Sequence, residues 1–170
     1  MNRRNAREIA LQLGFAVVAS EDFAQDALDE FFAPEHYETL RQESDIFAEY
    51  PDEKQMEYIR RLVGLVYDYK VQLDAYIEKY SHGWKVSRIS KMANAIMRCA
   101  ICEVLYMDDV PPAAAINEAV ELAKSYVDAE TVSFINGVLG GFMRGEHADA
   151  AEPCSGEPEA ETEAEAETEE

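Results

Sequence analysis

The sequence predicts an all-α fold, and three observations support that prediction. Several segments repeat apolar residues at a spacing of about 3.6, whereas no segment of useful length alternates polar and apolar residues. Residues typical of helix starts and stops separate these segments. Short joins between about six helices favour antiparallel neighbours, arranged as two small bundles or as one irregular bundle.

The first predicted helix covers residues 2–19, and a second covers residues 22–32 with Ser20 as its cap. Pro34 marks the end of the second helix. Residues 33–52 are acidic and poorly periodic. We therefore predict a connection there, with no more than a short helical turn.

Asp52 and Gln55 form a capping-box pattern that opens the longest predicted helix, which continues to Tyr80. A stop signal ending at Gly83 follows, and the next predicted helix covers residues 86–107 with a kink near its start. The apolar stripe of the longest helix consists of Ile59, Leu62, Val63, Val66, Leu73, Ile77 and Tyr80.

Two further helices complete the predicted fold. Pro112 suits the first turn of a helix that runs to residue 127, because its missing N–H would have no partner there. Asp128 is predicted to cap the last helix, which runs through Met143. Asn136-Gly137 lies within that helical pattern, so Gly137 is predicted to allow close helix packing, or alternatively to bring the backbone near a ligand.

Charge divides the chain into two regions. The whole sequence carries a formal charge of −20, from 15 basic and 35 acidic side chains. Residues 146–170 contain 11 acidic side chains and no Lys or Arg. Such a composition cannot bury enough apolar surface to fold, so we predict one helical domain over residues 1–145 and a disordered acidic tail over residues 146–170.

The acidity of the chain disfavours a protein that coats nucleic acid with its whole surface. A local basic site remains compatible with it. Positive charge exceeds negative charge only at the extreme N-terminus, where Arg3, Arg4 and Arg7 stand against Glu8 alone.

No motif of an enzyme or a metal site is found in the sequence. Cys99 and Cys102 have the spacing of metal ligands, but they fall inside a predicted helix, and the three histidines are scattered. We therefore predict small buried thiols and a protein that is not an enzyme and needs no cofactor or metal. With Cys154 the cysteine count is odd, which argues against a disulfide framework and favours a reducing, cytoplasmic compartment.

The N-terminal segment also has the outline of a secretory signal, with arginines before an apolar stretch. Glu8 and Gln12 interrupt that stretch at the polar positions of an amphipathic helix, which favours the helix. The longest unbroken apolar run, residues 13–19, is far shorter than the ~18 residues that a membrane span requires.

Arg4 and Arg7 are three residues apart and so share one side of the first helix, which continues as Leu11, Phe15 and Val18. The first apolar stripe of this helix consists of Ala6, Ile9, Ala10, Leu13, Ala16 and Val17. The second stripe would suit a protein partner at its C-terminal half and phosphates at its arginine end. The alternative is that the arginines pair with the acidic second helix or the connection after it.

Several motifs resemble a known family in order and spacing. They are Arg4-Asn5-Ala6-Arg7-Glu8 with Ala10 and Gln12, Ile96-Met97-Arg98-Cys99-Ala100 with Glu103 and Leu105, Asp109-Val110-Pro111, Ala115-Ile116-Asn117-Glu118-Ala119-Val120-Glu121-Leu122-Ala123-Lys124, and Phe134-Ile135-Asn136-Gly137-Val138-Leu139. Over about residues 2–143 the chain resembles the NusB transcription antitermination factors.

The resemblance implies seven helices in two packed three-helix-type subdomains, with an additional short helix before Met92. It also implies that the protein binds the boxA element of ribosomal RNA leader transcripts together with a ribosomal protein called NusE, and that the pair helps RNA polymerase resist termination. By motif position, the implied RNA-binding residues are Arg3, Arg4, Arg7 and Phe134. Phe15 matches a family aromatic near the protein partner.

Single-stranded RNA is bound by stacking of its bases on aromatic rings and by arginines at its phosphates. Phe134 lies about 100° of helix rotation from Ile135, so it could either stack on a base or pack in the core. Three phosphate contacts predict about a twentyfold loss of affinity between 50 and 200 mM salt. Binding by this protein alone should be weak, and a second RNA-binding protein would strengthen it by raising the effective concentration.

The sequence departs from the family pattern at Asn5, where relatives often carry a basic residue, and at Ala93, where they usually carry an acidic group at the partner interface. The acidic tail is a third departure, and we hypothesise that it competes with RNA for the arginines. One rival interpretation is a helical protein-interaction module without RNA binding. A second rival, the RNA-cytosine methyltransferases with a similar N-terminal domain, would require a cofactor-binding domain after residue 143.

Overall fold

The computed structural model describes residues 1–20, 24–82 and 89–147. These residues form eight α-helices and one 3₁₀ turn, with no strand among them, which confirms the all-α prediction. The helices are α1 (Arg3–Ser20), α2 (Ala24–Phe31), α3 (Pro34–Glu43), α4 (Glu53–Asp68), α5 (Lys70–Tyr80), α6 (Lys91–Tyr106), α7 (Pro112–Ala123) and α8 (Ala129–Glu146), and the 3₁₀ turn is Asp45–Phe47.

The helices pack as two groups around a shared core. Helices α1, α2 and α4 pack together, with α3 and the 3₁₀ turn beside them, and α5 to α8 form the second group. Helix α6 contacts both groups, and ten of its 16 residues are buried. A helix that is apolar on nearly all sides belongs in the centre of a domain, so α6 joins the two packed subdomains that the resemblance implied.

Helix α1 is amphipathic, as predicted, and packs chiefly against α4. Five residues of its first stripe are buried with an exposed fraction of 4% or less, namely Ala6, Ile9, Ala10, Leu13 and Val17, whereas Ala16 is exposed. The N-terminal segment is thus an integral part of the hydrophobic core.

The prediction of a mere connection over residues 33–52 is wrong, because α3 occupies ten of these positions. Pro34 does not only end α2; it also occupies the first turn of α3, where its fixed φ is favourable. Tyr37 is buried and its ring lies 6.0 Å from that of Phe47 and 4.8 Å from that of Tyr50. A local aromatic cluster therefore stabilises a helix whose acidic sequence lacks a long apolar stripe.

The single long helix predicted up to Tyr80 is divided into α4 and α5 at Tyr69. The predicted capping box is present, with Asp52 accepting from the Gln55 amide at 2.9 Å and Gln55 accepting from the Asp52 amide at 2.9 Å. Tyr69 leaves helical geometry, and its ring stacks on that of Tyr106 at 4.4 Å. The apolar spacing continues across this break, which is why the sequence pattern did not reveal it.

The remaining helix ends follow the predicted caps with small shifts. Asp128 accepts from the Thr131 amide at 2.9 Å and caps α8, as predicted. Helix α7 ends at Ala123, before residue 127, because the chain turns so that Tyr126 reaches α1. Helix α8 continues through Glu146, one residue past the predicted domain boundary.

Three predictions fall wholly or partly outside the residues that the structure describes. These are the start of the predicted second helix at residue 22, the kinked start of the helix predicted over residues 86–107 with the additional short helix before Met92, and the acidic tail beyond His147. In the described part, α6 begins at Lys91, where Ser90 accepts from the Ala93 amide at 3.1 Å.

Candidate nucleic-acid interface

The first turn of α1 presents two arginines to solvent. The side-chain oxygen of Asn2 accepts from the Asn5 amide at 2.7 Å, which satisfies one of the unpaired N–H groups at the start of the helix. Arg3 and Arg4 follow this cap, and both are exposed. The predicted cationic tip of α1 is therefore present, and it consists of two residues.

Arg3 lies beside the core and keeps much of its side chain in solvent. Its guanidinium group lies 5.5 Å from the centre of the Tyr58 ring, and it stands 3.6 Å from the carboxylate of Asp109. Its side chain remains 55% exposed. An exposed ion pair of this kind contributes little to stability, so another anion can replace the Asp109 carboxylate at Arg3.

Arg7 does not belong to the exposed tip, and its predicted place on the RNA-binding surface is a correction. Its side chain is buried, with an exposed fraction of 5% for the residue. The Arg7 Nε donates to Glu103 at 2.9 Å and its Nη2 donates to the same carboxylate at 2.8 Å. At Arg7 this side of α1 faces the core, so the guanidinium group is the charged partner of the buried Glu103 carboxylate.

The buried cluster around Glu103 joins four helices. Tyr58 of α4 donates to the Glu103 carboxylate at 2.7 Å, and Glu118 of α7 lies 3.8 Å from Arg7. Glu103 itself is completely buried in α6. The carboxylate thus has the fork of Arg7 and a phenol as donors, which is the satisfaction that a buried charge requires.

The protonation states in this cluster follow from its geometry. Burial alone would lower the pKa of Arg7, but the hydrogen bonds and negative charge of Glu103 outweigh it and raise that pKa. Burial, with the Glu103 charge second, raises the pKa of Tyr58 well above its ordinary value. Arg7 stays charged and Tyr58 stays a donor at neutral pH, so the cluster fixes the first turns of α1 on the core.

The predicted second stripe of α1 is only partly exposed. Leu11 is 1% exposed and belongs to the core, so its prediction as a partner-binding residue is corrected. Phe15 and Val18 are half-buried against the core and retain exposed surface. Helix α1 packs on both α4 and α6, so part of its second stripe is covered.

A polar network flanks this stripe and attaches α1 to the turn after α7. The Tyr126 hydroxyl donates to Glu8 at 2.8 Å and accepts from Gln12 at 2.8 Å. Burial raises the pKa of Tyr126 to about 12; the hydrogen bond from Gln12 opposes this rise, and the hydrogen bond to Glu8 and the charge of Glu8 add to it. Phe134, on the next helix, is half-buried and packs against the core.

Two other predicted features have clear outcomes. Cys99 and Cys102 are buried as predicted, and burial raises the pKa of Cys99 to about 12.

Gly137 is exposed, with no atom within 4 Å of an added Cβ, so the prediction that it allows close packing is wrong. Gly141 and Gly145 have that role, because both lie directly against Tyr80 of α5.

Ala93 is fully buried in α6 and does not form part of an exposed partner surface.

Within the described ranges, no group of three His, Cys, Asp or Glu side chains could hold a metal ion. None of the helices described is both long enough and apolar enough to cross a membrane.

Sequence comparison shows the family of the chain. The model of the NusB family matches residues 4–144. Transcription antitermination protein NusB of Acetivibrio thermocellus is 43% identical over 140 residues, which are 82% of this chain and 87% of that protein. The chain belongs to the NusB family. It is therefore related to transcription antitermination factors rather than to enzymes, as its lack of catalytic motifs predicted.

Other NusB proteins agree in sequence and fold. The Symbiobacterium thermophilum protein of the same name is 37% identical over 145 residues, covering 85% of this chain and 91% of its own. T. maritima NusB has the same fold, with a TM-score of 0.69 and 26% identity, and the match covers 87% of this chain and 94% of that one. A chain from the crystal structure of antitermination factors NusB and NusE in complex with dsRNA has a TM-score of 0.65 at 19% identity, covers 84% and 96%, and shows the fold alone.

Proposed function

We propose that this NusB family member is a transcription antitermination factor that binds single-stranded boxA-type RNA of ribosomal RNA leader transcripts jointly with NusE. It would act within an RNA polymerase antitermination complex in the cytoplasm. The observation that carries the proposal is the pair of exposed guanidinium groups, Arg3 and Arg4, at the capped end of α1. The names of its relatives, which are transcription antitermination proteins NusB, support it.

The RNA contacts that we propose differ in number from those predicted for the sequence. Arg3 and Arg4 bind backbone phosphates, whereas Arg7 holds α1 in place through Glu103. Two phosphate contacts with a single strand give about a sevenfold loss of affinity between 50 and 200 mM salt, in place of about twentyfold for three. Phe134 supplies a ring face on which a base stacks.

NusE would bind along the part of α1 that follows the tip. Phe15 and Val18 provide half-buried apolar surface there, and Glu8 and Gln12 are fixed beside them by Tyr126. A partner that contacts both this face and the RNA raises the effective concentration of each ligand for the other. Weak binding by two arginines would thereby become strong binding in the joint complex.

The test is a gel-shift titration of boxA RNA with and without NusE, using wild type and the double variant Arg3→Ala with Arg4→Ala. We expect the double variant to lose at least fivefold in RNA affinity in both settings, because each arginine neutralises a phosphate. Arg41→Ala is a control for the loss of an exposed arginine away from α1, since Arg41 lies on α3 and pairs with Glu38 of the same helix. Unchanged RNA binding by the double variant, with NusE binding intact, would favour the protein-interaction module.

Phe15→Ala tests the partner side separately. We expect it to weaken NusE binding and the joint complex while leaving RNA affinity in the absence of NusE unchanged. Leu11→Ala serves as a contrast, because Leu11 is buried and its truncation should lower stability instead of removing a surface contact.

A further inference from the structure

An open groove lies beside the cationic tip, between the start of α1, the first half of α4 and the turn after α6. Its volume is about 760 Å³. Tyr58 and Met107 contribute to its wall, together with Arg3, Arg61 of α4 and Asp109. No sequence pattern pointed to a role for Arg61.

The carboxylate of Asp109 lies between two guanidinium groups from different helices. Its Oδ1 is 3.0 Å from Arg61 Nη1, and its Oδ2 is 3.6 Å from Arg3 Nη2. The side chains of Arg3, Arg61 and Asp109 are 55%, 43% and 60% exposed. Ion pairs this exposed are weak, so another anion can replace the carboxylate at small cost.

Both arginines are held in position by contacts other than Asp109. The Arg61 Nη2 donates to the Tyr106 carbonyl oxygen at 2.7 Å, and the Arg3 guanidinium lies over the Tyr58 ring. They would therefore stay in place if the carboxylate left. A phosphodiester has the same charge as this carboxylate and also offers two oxygens, which suits a pair of arginine forks.

The remaining acidic side chains of the groove, Asp52, Glu57 and Asp108, limit what it can bind. They oppose a run of several phosphates, whereas a single phosphate at the arginine pair stays compatible with them. The geometry therefore favours one backbone phosphate of a strand that passes over the edge of the groove toward Arg4.

We propose that Arg3 and Arg61 form a binding site for one backbone phosphate of the RNA, and that Asp109 occupies this site in the free protein. RNA binding displaces the Asp109 carboxylate from between the two arginines. This inference rests on the proposed function and adds a residue of α4 to it. Because Arg3 and Arg61 share this phosphate, the strand still has two phosphate contacts with Arg4 counted, and the expected affinity loss between 50 and 200 mM salt stays at about sevenfold.

The first test compares Arg61→Gln with Arg60→Gln, using boxA RNA with NusE present. Both variants remove one positive charge from α4, but Arg60 pairs with Asp29 and does not line this groove. We expect Arg61→Gln to lower RNA affinity about fivefold at 50 mM salt, because the shared phosphate loses one of its two guanidinium partners. Arg60→Gln should keep the wild-type affinity, and Arg61→Lys should recover part of the affinity.

The second test compares Asp109→Asn with Asp108→Asn. Each removes one negative charge from the same turn, but only Asp109 lies between the arginines. We expect Asp109→Asn to tighten RNA binding about threefold, as the removal of one competing charge near a phosphate predicts, and Asp108→Asn to change it less. In an Arg61→Gln background the gain from Asp109→Asn should shrink.

The outcomes separate this inference from the proposed function. If Arg61→Gln behaves like Arg60→Gln while replacement of Arg3 and Arg4 weakens binding, the phosphate site is wrong and the proposed function stands. Equal effects of Asp109→Asn and Asp108→Asn would overturn the role of Asp109. If wild type fails to bind boxA RNA with and without NusE, the proposed function and this inference both fail. Thermal unfolding of each variant identifies any loss of affinity that arises from misfolding.

Discussion

Arg7 and Glu103 form a bidentate ion pair in the interior of the protein, with donor to acceptor distances of 2.9 and 2.8 Å. The two residues are 96 positions apart in sequence and connect α1 to the central helix α6. Arg4, one helical turn before Arg7, is exposed. Two arginines on the same side of one helix therefore have different roles: Arg7 stabilises the fold, and Arg4 is available at the surface.

This relationship predicts opposite effects for two similar substitutions. Arg7→Met should lower the free energy of unfolding by about 3–5 kcal/mol, because it leaves Glu103 buried without its charged partner. Arg4→Met should change stability by less than about 0.5 kcal/mol and weaken RNA binding instead. Urea unfolding and RNA titration of both variants check this pair of expectations.

The double variant Arg7→Met with Glu103→Leu provides the control for the first effect. It removes both charges together, so it should be more stable than Arg7→Met alone. If Arg7→Met retained wild-type stability and lost RNA affinity, Arg7 would act at the RNA surface after all.

Sequence periodicity was sufficient for the helices with long apolar stripes and clear caps. The box of Asp52 with Gln55 and the Asp128 cap are present as predicted, and the first apolar stripe of α1 and the apolar stripe of α4 are buried except at Ala16. These features depend on residues within one or two turns of each other, which a linear pattern records. Helix α3 was missed because Tyr37 is stabilised by aromatic rings from the 3₁₀ turn and beyond.

The candidate site was less predictable, for a related reason. Helical spacing placed Arg4, Arg7 and Leu11 on one side of α1, but it did not show that α6 and α7 cover part of that side. The acid that neutralises Arg7 lies far away in sequence at Glu103. Arg61 was missed for the same reason, since its partners Tyr106 and Asp109 come from the other subdomain.

Two glycines of α8 should respond differently to the same substitution. Gly137→Ala places a methyl group in open space on an exposed helix, so it should raise the free energy of unfolding by about 0.5–1 kcal/mol. Gly145→Ala would overlap the Tyr80 hydroxyl, which is held at 2.7 Å from Glu146. It should therefore lower stability by about 1–3 kcal/mol.

Thermal or urea unfolding of the two alanine variants measures this difference. RNA titration of Gly137→Ala also tests the alternative role of Gly137, in which a ligand approaches its backbone. A loss of RNA affinity without a loss of stability would support that alternative.

Because the pKa of Tyr126 is raised, the free energy of unfolding should depend on pH in the alkaline range. Its pKa in the folded protein is about 12, above the ordinary tyrosine value of about 10, so the folded state retains the proton longer. The contribution of the protonated Tyr126 to the free energy of unfolding is fully present below about pH 10 and is lost as the pH rises to about 12. The difference in urea midpoint between wild type and Tyr126→Phe should therefore shrink from pH 9 to pH 11.5.

The other tyrosines are the same in both proteins, so their titration cancels in this comparison. A difference between the two midpoints that stays constant over this range would contradict the coupling of Tyr126 to Glu8.

Phe134 offers a test of stacking against packing. Phe134→Leu retains apolar volume where the ring packs on the core, so stability should change by less than about 1.5 kcal/mol. Loss of the aromatic face should lower boxA RNA affinity at least about fivefold, because stacking contributes roughly 1–3 kcal/mol per base. Phe134→Tyr is the matched control and should retain binding. Equal RNA affinity of the leucine and tyrosine variants would assign Phe134 to packing alone.

The acidic residues after His147 should influence RNA affinity through charge. Residues 148–170 contain ten carboxylates and no Lys or Arg, so they compete with phosphates for Arg3 and Arg4 wherever they can reach them. Truncation after His147 retains Glu146, which accepts from Tyr80, and should tighten boxA RNA binding at 50 mM salt. The gain should fall at 200 mM salt, because ions screen exposed charges over shorter distances. A chain of full length with Gln in place of the nine Glu residues and Asn in place of Asp149 separates charge from length. Tightening equal to that of the truncation assigns the effect to the carboxylates, and unchanged affinity in both proteins rejects the competition.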